Sequence, residues 1–116
     1  MEKSAWVEEF AGSVVVCSPE GIILEMNDKA IRTFEKSGGA KLIGSNLLDC
    51  HPEPSRSKLI ELMEQRRTNI YTIEKNGVKK FIYQSPWYLK GEYRGFIEMV
   101  IEVPATMPHF IRDASL

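Results

Sequence analysis

The sequence predicts an α+β domain, with helices covering one face of an antiparallel sheet. Three observations carry this. Two apolar strand segments, about residues 13–17 and 22–26, flank the turn Ser18-Pro19-Glu20-Gly21. Short helical stretches and one longer helix fill the middle of the chain. Three strand segments then follow, separated by Asn76-Gly77 and by Lys90-Gly91-Glu92-Tyr93-Arg94-Gly95. Helices grouped apart from strands in this order read as α+β. Five strands of this length with helices on one side enclose a small cavity.

Residues 4–10 form a short amphipathic helix, because Trp6 and Phe10 are four apart and share a face. Ala11-Gly12 stops it. After the first two strands, Asn27 is placed to cap a helix by accepting from a free backbone N–H. Ala30, Ile31 and Phe34 give that helix one apolar stripe, and Gly38-Gly39 ends it. Residues 40–54 are irregular and hold a second apolar set, Leu42, Ile43, Leu47 and Leu48. Pro52 and Pro54 break any regular element there. Ser55 is expected to cap a helix that runs to about Arg67. Leu59, Ile60, Leu62 and Met63 give it i, i+3, i+4 spacing. Arg66 and Arg67 sit where the helix dipole favours cations.

Asn76-Gly77 is a type I′ hairpin signal. A two-residue loop there pairs Glu74 with Lys79. It puts Ile70, Thr72, Phe81 and Tyr83 on one face and Tyr71, Ile73, Val78 and Ile82 on the other, leaving open which is inside. Strand 96–103 alternates cleanly. Ile97, Met99, Ile101 and Val103 are expected inside, with Phe96, Glu98, Val100 and Glu102 outside. The expected division is an N-terminal helix over 1–12, a domain over 13–103 and a loosely held tail over 104–116.

At 116 residues the chain suits one domain. Its 43% hydrophobic and 27% charged content are ordinary for a globular protein. A net charge of −1 gives no field for nucleic acid or an anionic membrane. Arg66-Arg67 and Lys79-Lys80 have acids close by and read as solvated faces. The start, Met1-Glu2-Lys3-Ser4, lacks the apolar region of a signal peptide, and no run is long enough to span a membrane. Cys17 and Cys50 have neither metal nor disulfide-framework spacing, and Cys17 reads as a buried thiol. A cytoplasmic protein is expected.

Gly21-x-Ile23 with Asn27 six residues after the glycine, Leu42-Ile43-Gly44, and Gly91-Glu92-Tyr93-x-Gly95-x-x-Glu98 stand in an informative order. Together they resemble the PAS domain family over about residues 13–103. Ile43-Gly44, Asp49-Cys50-His51-Pro52, Ser55 and the Gly91-Glu92-Tyr93-x-Gly95 run are similar to PAS modules found beside hemerythrin-like domains. The resemblance implies a five-stranded antiparallel sheet in the order 2-1-5-4-3, dimerisation and a role in signal perception. The sequence carries no hemerythrin, kinase, cyclase or DNA-binding segment. Output is therefore expected through a partner protein or a homodimer.

The cofactor readings are separable. Photoactive relatives of the light-oxygen-voltage type use Gly-x-Asn-Cys-Arg-Phe. Here Gly44-Ser45-Asn46-Leu47-Leu48-Asp49 puts leucine at the nucleophile position, and leucine has no thiolate. No flavin photoadduct is expected, and nothing supports noncovalent flavin. Haem-binding relatives take an axial histidine near the long helix, and His51 is the one candidate there. Cys17, Cys50, His51 and His109 match no zinc spacing. Asp49-Cys50-His51 and Glu25 are weak catalytic candidates. There is no phosphate loop, nucleophile elbow or HExxH, so an enzyme is not expected.

Phe34, Ile43, Leu47, Leu59, Leu62, Met63, Met99 and Ile101 are expected to line a ligand cavity between helix 55–67 and the sheet, or else simply to fill the core. Tyr83, or Tyr71 if the hairpin presents its other face, is the polar contact. Phe96 and Val100 on the outer sheet face, covered by Trp6 and Phe10, are expected to form a two-fold dimer contact. Trp87 and Tyr88 add aromatic surface nearby. The function expected is a stand-alone sensor that binds a small apolar or amphipathic ligand, or a partner protein, and signals through the N-terminal helix. The alternatives are a ligand-free dimerisation or docking scaffold and a haem sensor acting through His51.

Overall fold

The computed structural model describes residues 5–114. Ser4, the expected first residue of the N-terminal helix, and the last two residues of the tail lie outside the described residues. The elements are α1 (Ala5–Glu8), β1 (Ser13–Cys17), β2 (Ile23–Met26), α2 (Asp28–Thr33), α3 (Ser55–Gln65), β3 (Asn69–Lys75), β4 (Val78–Leu89) and β5 (Glu92–Val103). Three 3-10 turns, Glu35–Ser37, Gly39–Leu42 and Leu47–Cys50, link α2 to α3. The strands form one antiparallel sheet in the order β2-β1-β5-β4-β3. The longest strands, β4 and β5, therefore lie near its middle.

Asn27 organises the first third of the chain. Its Oδ1 accepts from Ala30 N at 3.1 Å, which is the expected helix cap, and from Val14 N at 2.9 Å. Its Nδ2 donates to Val7 O at 3.0 Å and Gly12 O at 2.8 Å. Two donors and two acceptor sites are the full capacity of a primary amide. One buried side chain thus ties α1, β1 and α2 together. The β2 edge is closed by the following loop, where Ile23 N donates to Ser45 O, Gly44 N to Ile23 O and Leu47 N to Gly21 O.

Helix α3 differs from expectation at its start. Pro54, not Ser55, holds the cap position, and the Glu53 carboxylate takes the bonds from Ser57 N and Ser57 Oγ. Those bonds hold the Glu53 carboxyl below its usual range. The helix ends at Arg66 in the left-handed region, φ 53°. Leu59, Leu62 and Met63 are buried against Cys17 and Phe96. A second cluster, Val15, Ile23, Met26 and Ala30, lies under α2 with Phe34, Leu42 and Leu47 around it.

Asn76-Gly77 makes the expected hairpin, with φ of 53° and 77° and Glu74 opposite Lys79. The face of Tyr71, Ile82 and Gln84 turns towards the helices, since Ile82 and Gln84 are buried there while Tyr83 is exposed. The expectation for β5 is reversed. Phe96 is only 3% exposed and packs on α3, so the Phe96, Glu98 and Val100 face is the inner one. Ile97, Met99, Ile101 and Val103 lie on the outer face with Phe81 and Tyr83.

The cause is a bulge. Tyr88 pairs with Tyr93, yet Trp87 pairs with Gly95, so Arg94 is the extra residue. One inserted residue moves every later side chain of the strand to the opposite face relative to its partner. Tyr93, before the bulge, and Phe96, after it, consequently both face inward. Phe96 and Val100 thus cannot serve the dimer contact expected of them, and Met99, Ile101 and Tyr83 cannot line a cavity beneath the helices.

Candidate functional site

A cavity of about 300 Å³ lies between the sheet and the 34–51 segment. All five strands contribute to its floor: Ile23 and Met26 from β2, Val15 from β1, Glu98 from β5, Ile82 from β4 and Tyr71 from β3. Phe34, Leu42, Leu47, Cys50 and His51 are among the residues that close it from the helical side. A more open cleft of about 590 Å³ adjoins it between α3 and β3, sharing His51 and Tyr71 and bordered by Leu59, Leu62, Lys58 and Gln84. Strand alternation explains the floor, because only one residue in two can face it.

The sequence-derived lining set divides. Phe34 and Leu47 border the cavity. Leu59 and Leu62 border the adjoining cleft, and together with Met63 they belong to the core beneath α3. Ile43 is exposed, because it follows the 3-10 turn Gly39–Leu42 in extended conformation and leaves Leu42 to face inward. Sequence reasoning placed Glu98 outward and did not name Gln84, and it left open whether the Tyr71 and Ile82 face or the Tyr83 face of the hairpin turns inward. Counting pairs from Asn76-Gly77 finds Tyr71 and Ile82 on one face. Finding Glu98 requires the Arg94 bulge.

The polar part of the site is a ladder across the inner sheet face. Asn69 Nδ2 donates to Gln84 Oε1 at 2.9 Å, and Gln84 Nε2 donates to Glu98 Oε2 at 2.9 Å. A carboxylate accepts only, so it fixes the direction of both amides. Burial, and then the Glu98 charge, pushes the Tyr71 phenol upward. The Cys17 thiol is also raised, first by burial and further by Glu98. His51 completes the wall. Its Nδ1 stands 2.8 Å from Leu47 O, and since a carbonyl cannot donate, Nδ1 carries the proton. With that tautomer, Nε2 is the ring nitrogen left to bind a ligand.

That arrangement of His51 fits an axial metal ligand. The rest of the cavity does not fit haem. Its volume lies at the small end of ligand pockets. Its charged wall group is a carboxylate, facing a macrocycle that itself carries carboxylates. Among the described residues no group of three or more His, Cys, Asp and Glu could hold a metal ion. The Asp49-Cys50-His51 run forms no nucleophile–base pair. Asp49 lies 3.6 Å from Arg56, His51 bonds to Leu47 O, and Cys50 is exposed. Glu25 pairs with Val16, on the sheet face opposite Val15 and the cavity. Among the described residues no helix is long and apolar enough to cross a membrane.

No family model and no curated protein matches the sequence. Solved structures do match. A C-terminal domain from Streptococcus mutans is 18% identical at TM-score 0.68, covering 83% of this chain and 78% of that one. The PAS domain of BvgS from Bordetella pertussis is 18% identical at TM-score 0.63, covering 84% and 81%. A Vibrio cholerae receptor described as a dual PAS-haem oxygen sensor is 17% identical at TM-score 0.56, covering 80% and 95%. None of these three bears on the narrower resemblance to hemerythrin-associated modules. The shared five-stranded antiparallel sheet, its 2-1-5-4-3 order and the helices on its inner face establish that this chain has the PAS fold.

Proposed function

We propose that this domain is a sensor whose input is a small molecule held between the sheet and the 34–51 segment. The cavity of about 300 Å³, floored by all five strands and carrying Tyr71, His51 and Glu98 on its wall, supports this reading. A core built only for stability closes such a space, because each void forfeits packing contacts. A polar wall inside an apolar shell is instead what a ligand site needs. One of the matched structures, the Vibrio cholerae receptor, is described as an oxygen sensor, which is consistent with this role.

Native mass spectrometry of the protein purified from several hosts, with an absorption spectrum, tests it. A bound mass is expected, and Leu42→Trp, which fills the cavity, should abolish it. A protein that carries nothing, and whose cavity residues show no shift against a fragment library, overturns the reading in favour of a ligand-free docking module.

A homodimer through the outer sheet face is the second part of the proposal. Trp6 is 66% exposed, and Ile70 and Tyr83 are exposed on that face beside half-buried Ile97 and Met99. Phe10 already covers part of it, since its ring and Ile101 both crowd the space above Gly12. The continuous antiparallel sheet between the two faces is a mechanical route from cavity to α1.

A further inference from the structure

We infer that the cavity selects a small amphipathic cation, with an apolar body among Phe34, Leu42 and Ile82 and a primary amine or similar N–H donor on the Glu98 carboxylate. This rests on the reading of the cavity as a ligand site. Glu98 is half-buried in the middle of the sheet. Oε2 accepts from Gln84, and its other oxygen accepts from no described residue. The ladder holds Gln84 with its nitrogen towards Glu98 and its oxygen on Asn69, so the carboxylate is presented rather than neutralised. His51 lines the same cavity, with Nδ1 committed to Leu47 O and Nε2 as its remaining ring nitrogen.

No Lys or Arg lines this cavity, and Lys58 borders only the adjoining cleft. The wall therefore offers one charged acceptor and no cation, beside the Ser37 hydroxyl and the Tyr71 phenol, which can each donate or accept. An anion would meet Glu98 in a poorly hydrated space with no cation to offset it. A neutral apolar molecule would strip water from the carboxylate and leave it unpaired. A cation with an apolar body avoids both costs. At about 300 Å³ the space takes roughly ten water-sized groups, enough for one ring or a short chain with its head.

The test is titration of isotope-labelled protein with phenethylamine, phenethyl alcohol and phenylacetate, followed by amide chemical shifts. The amine should bind about tenfold or more tighter than the alcohol, with phenylacetate weakest. Glu98→Gln keeps the side-chain size and still accepts from Gln84, and it should erase the preference for the amine. Alcohol or phenylacetate binding as tightly as the amine would overturn the inference while the ligand-site reading stands. No shift at cavity residues with any of the three would take down both. Circular dichroism shows whether the variant folds. If it does not, the wild-type series alone decides.

Discussion

The indole Nε1 of Trp87 donates to the carbonyl oxygen of Cys17 at 3.3 Å, reaching from β4 across β5 to β1. The residue it crosses is Gly95, which pairs with Trp87 and has φ 133°. A Cβ on Gly95 would overlap that same Cys17 carbonyl. The bulge that sets the face of every later β5 residue is thus locked at a point where only glycine fits. Gly95→Ala should cost about 3 kcal/mol or more, from backbone strain and overlap with immobile main chain. Trp87→Phe should cost about 1 kcal/mol, for one hydrogen bond, and keep the fold. Urea denaturation checks both, and a Gly95→Ala protein of wild-type midpoint would show that the bulge is not so held.

Asn27→Ala should be worse than an ordinary cap deletion, which costs about 1 kcal/mol. It strands Val14 N and Gly12 O as well as Ala30 N, so about 3 kcal/mol is expected. It also frees Val7 O, the bond that holds α1. In a Trp87→Phe background, the fluorescence anisotropy of Trp6 should fall as α1 is released. An unchanged anisotropy would mean that α1 is held by something other than Asn27.

How much of this was legible in the sequence follows from where the information is local. The β3–β4 register could be read because Asn76-Gly77 fixes it within two residues, and the cap could be read because Asn27 precedes its helix. The β5 faces could not. A central strand is apolar on both faces, so alternation in Ile97, Met99 and Ile101 has no sign, and the sign was set by one extra residue, Arg94. Glu98 then looked solvent-facing because it is charged, although Gln84 waits opposite it on the neighbouring strand. The α3 stripe was correct in period, and its purpose was left open between cavity wall and core: Leu59, Leu62 and Met63 pack against Phe96, and the roof of the cavity came from a segment that reads as irregular.

Trp6→Asp should convert a dimer to a monomer with unchanged circular dichroism. Trp6 touches Phe10 edge-on at a centroid distance of 5.9 Å but is otherwise largely open, so its loss removes interface rather than core. Size-exclusion chromatography with light scattering reads the mass. An unchanged dimer would move the contact elsewhere, and a monomeric wild type would remove this part of the proposal.

The two thiols should separate by burial. Cys50 is exposed and Cys17 is buried with a raised pKa, caused first by desolvation. Iodoacetamide on the native protein should label Cys50 alone, and Cys17 only after unfolding. The same shift has a sign in stability. A group whose folded pKa exceeds its unfolded one contributes stability that is complete below the unfolded value, about 8.5 for a thiol, and that falls away as pH rises towards the folded value. Cys17→Ala should therefore cost about 1 kcal/mol near neutral pH, from lost packing, and visibly less by about pH 10. The wild type should be the one that weakens, since the alanine has nothing to ionise. A gap between the two proteins that stays constant from neutral to alkaline pH would mean that the thiolate is tolerated beside Phe96 and Glu98.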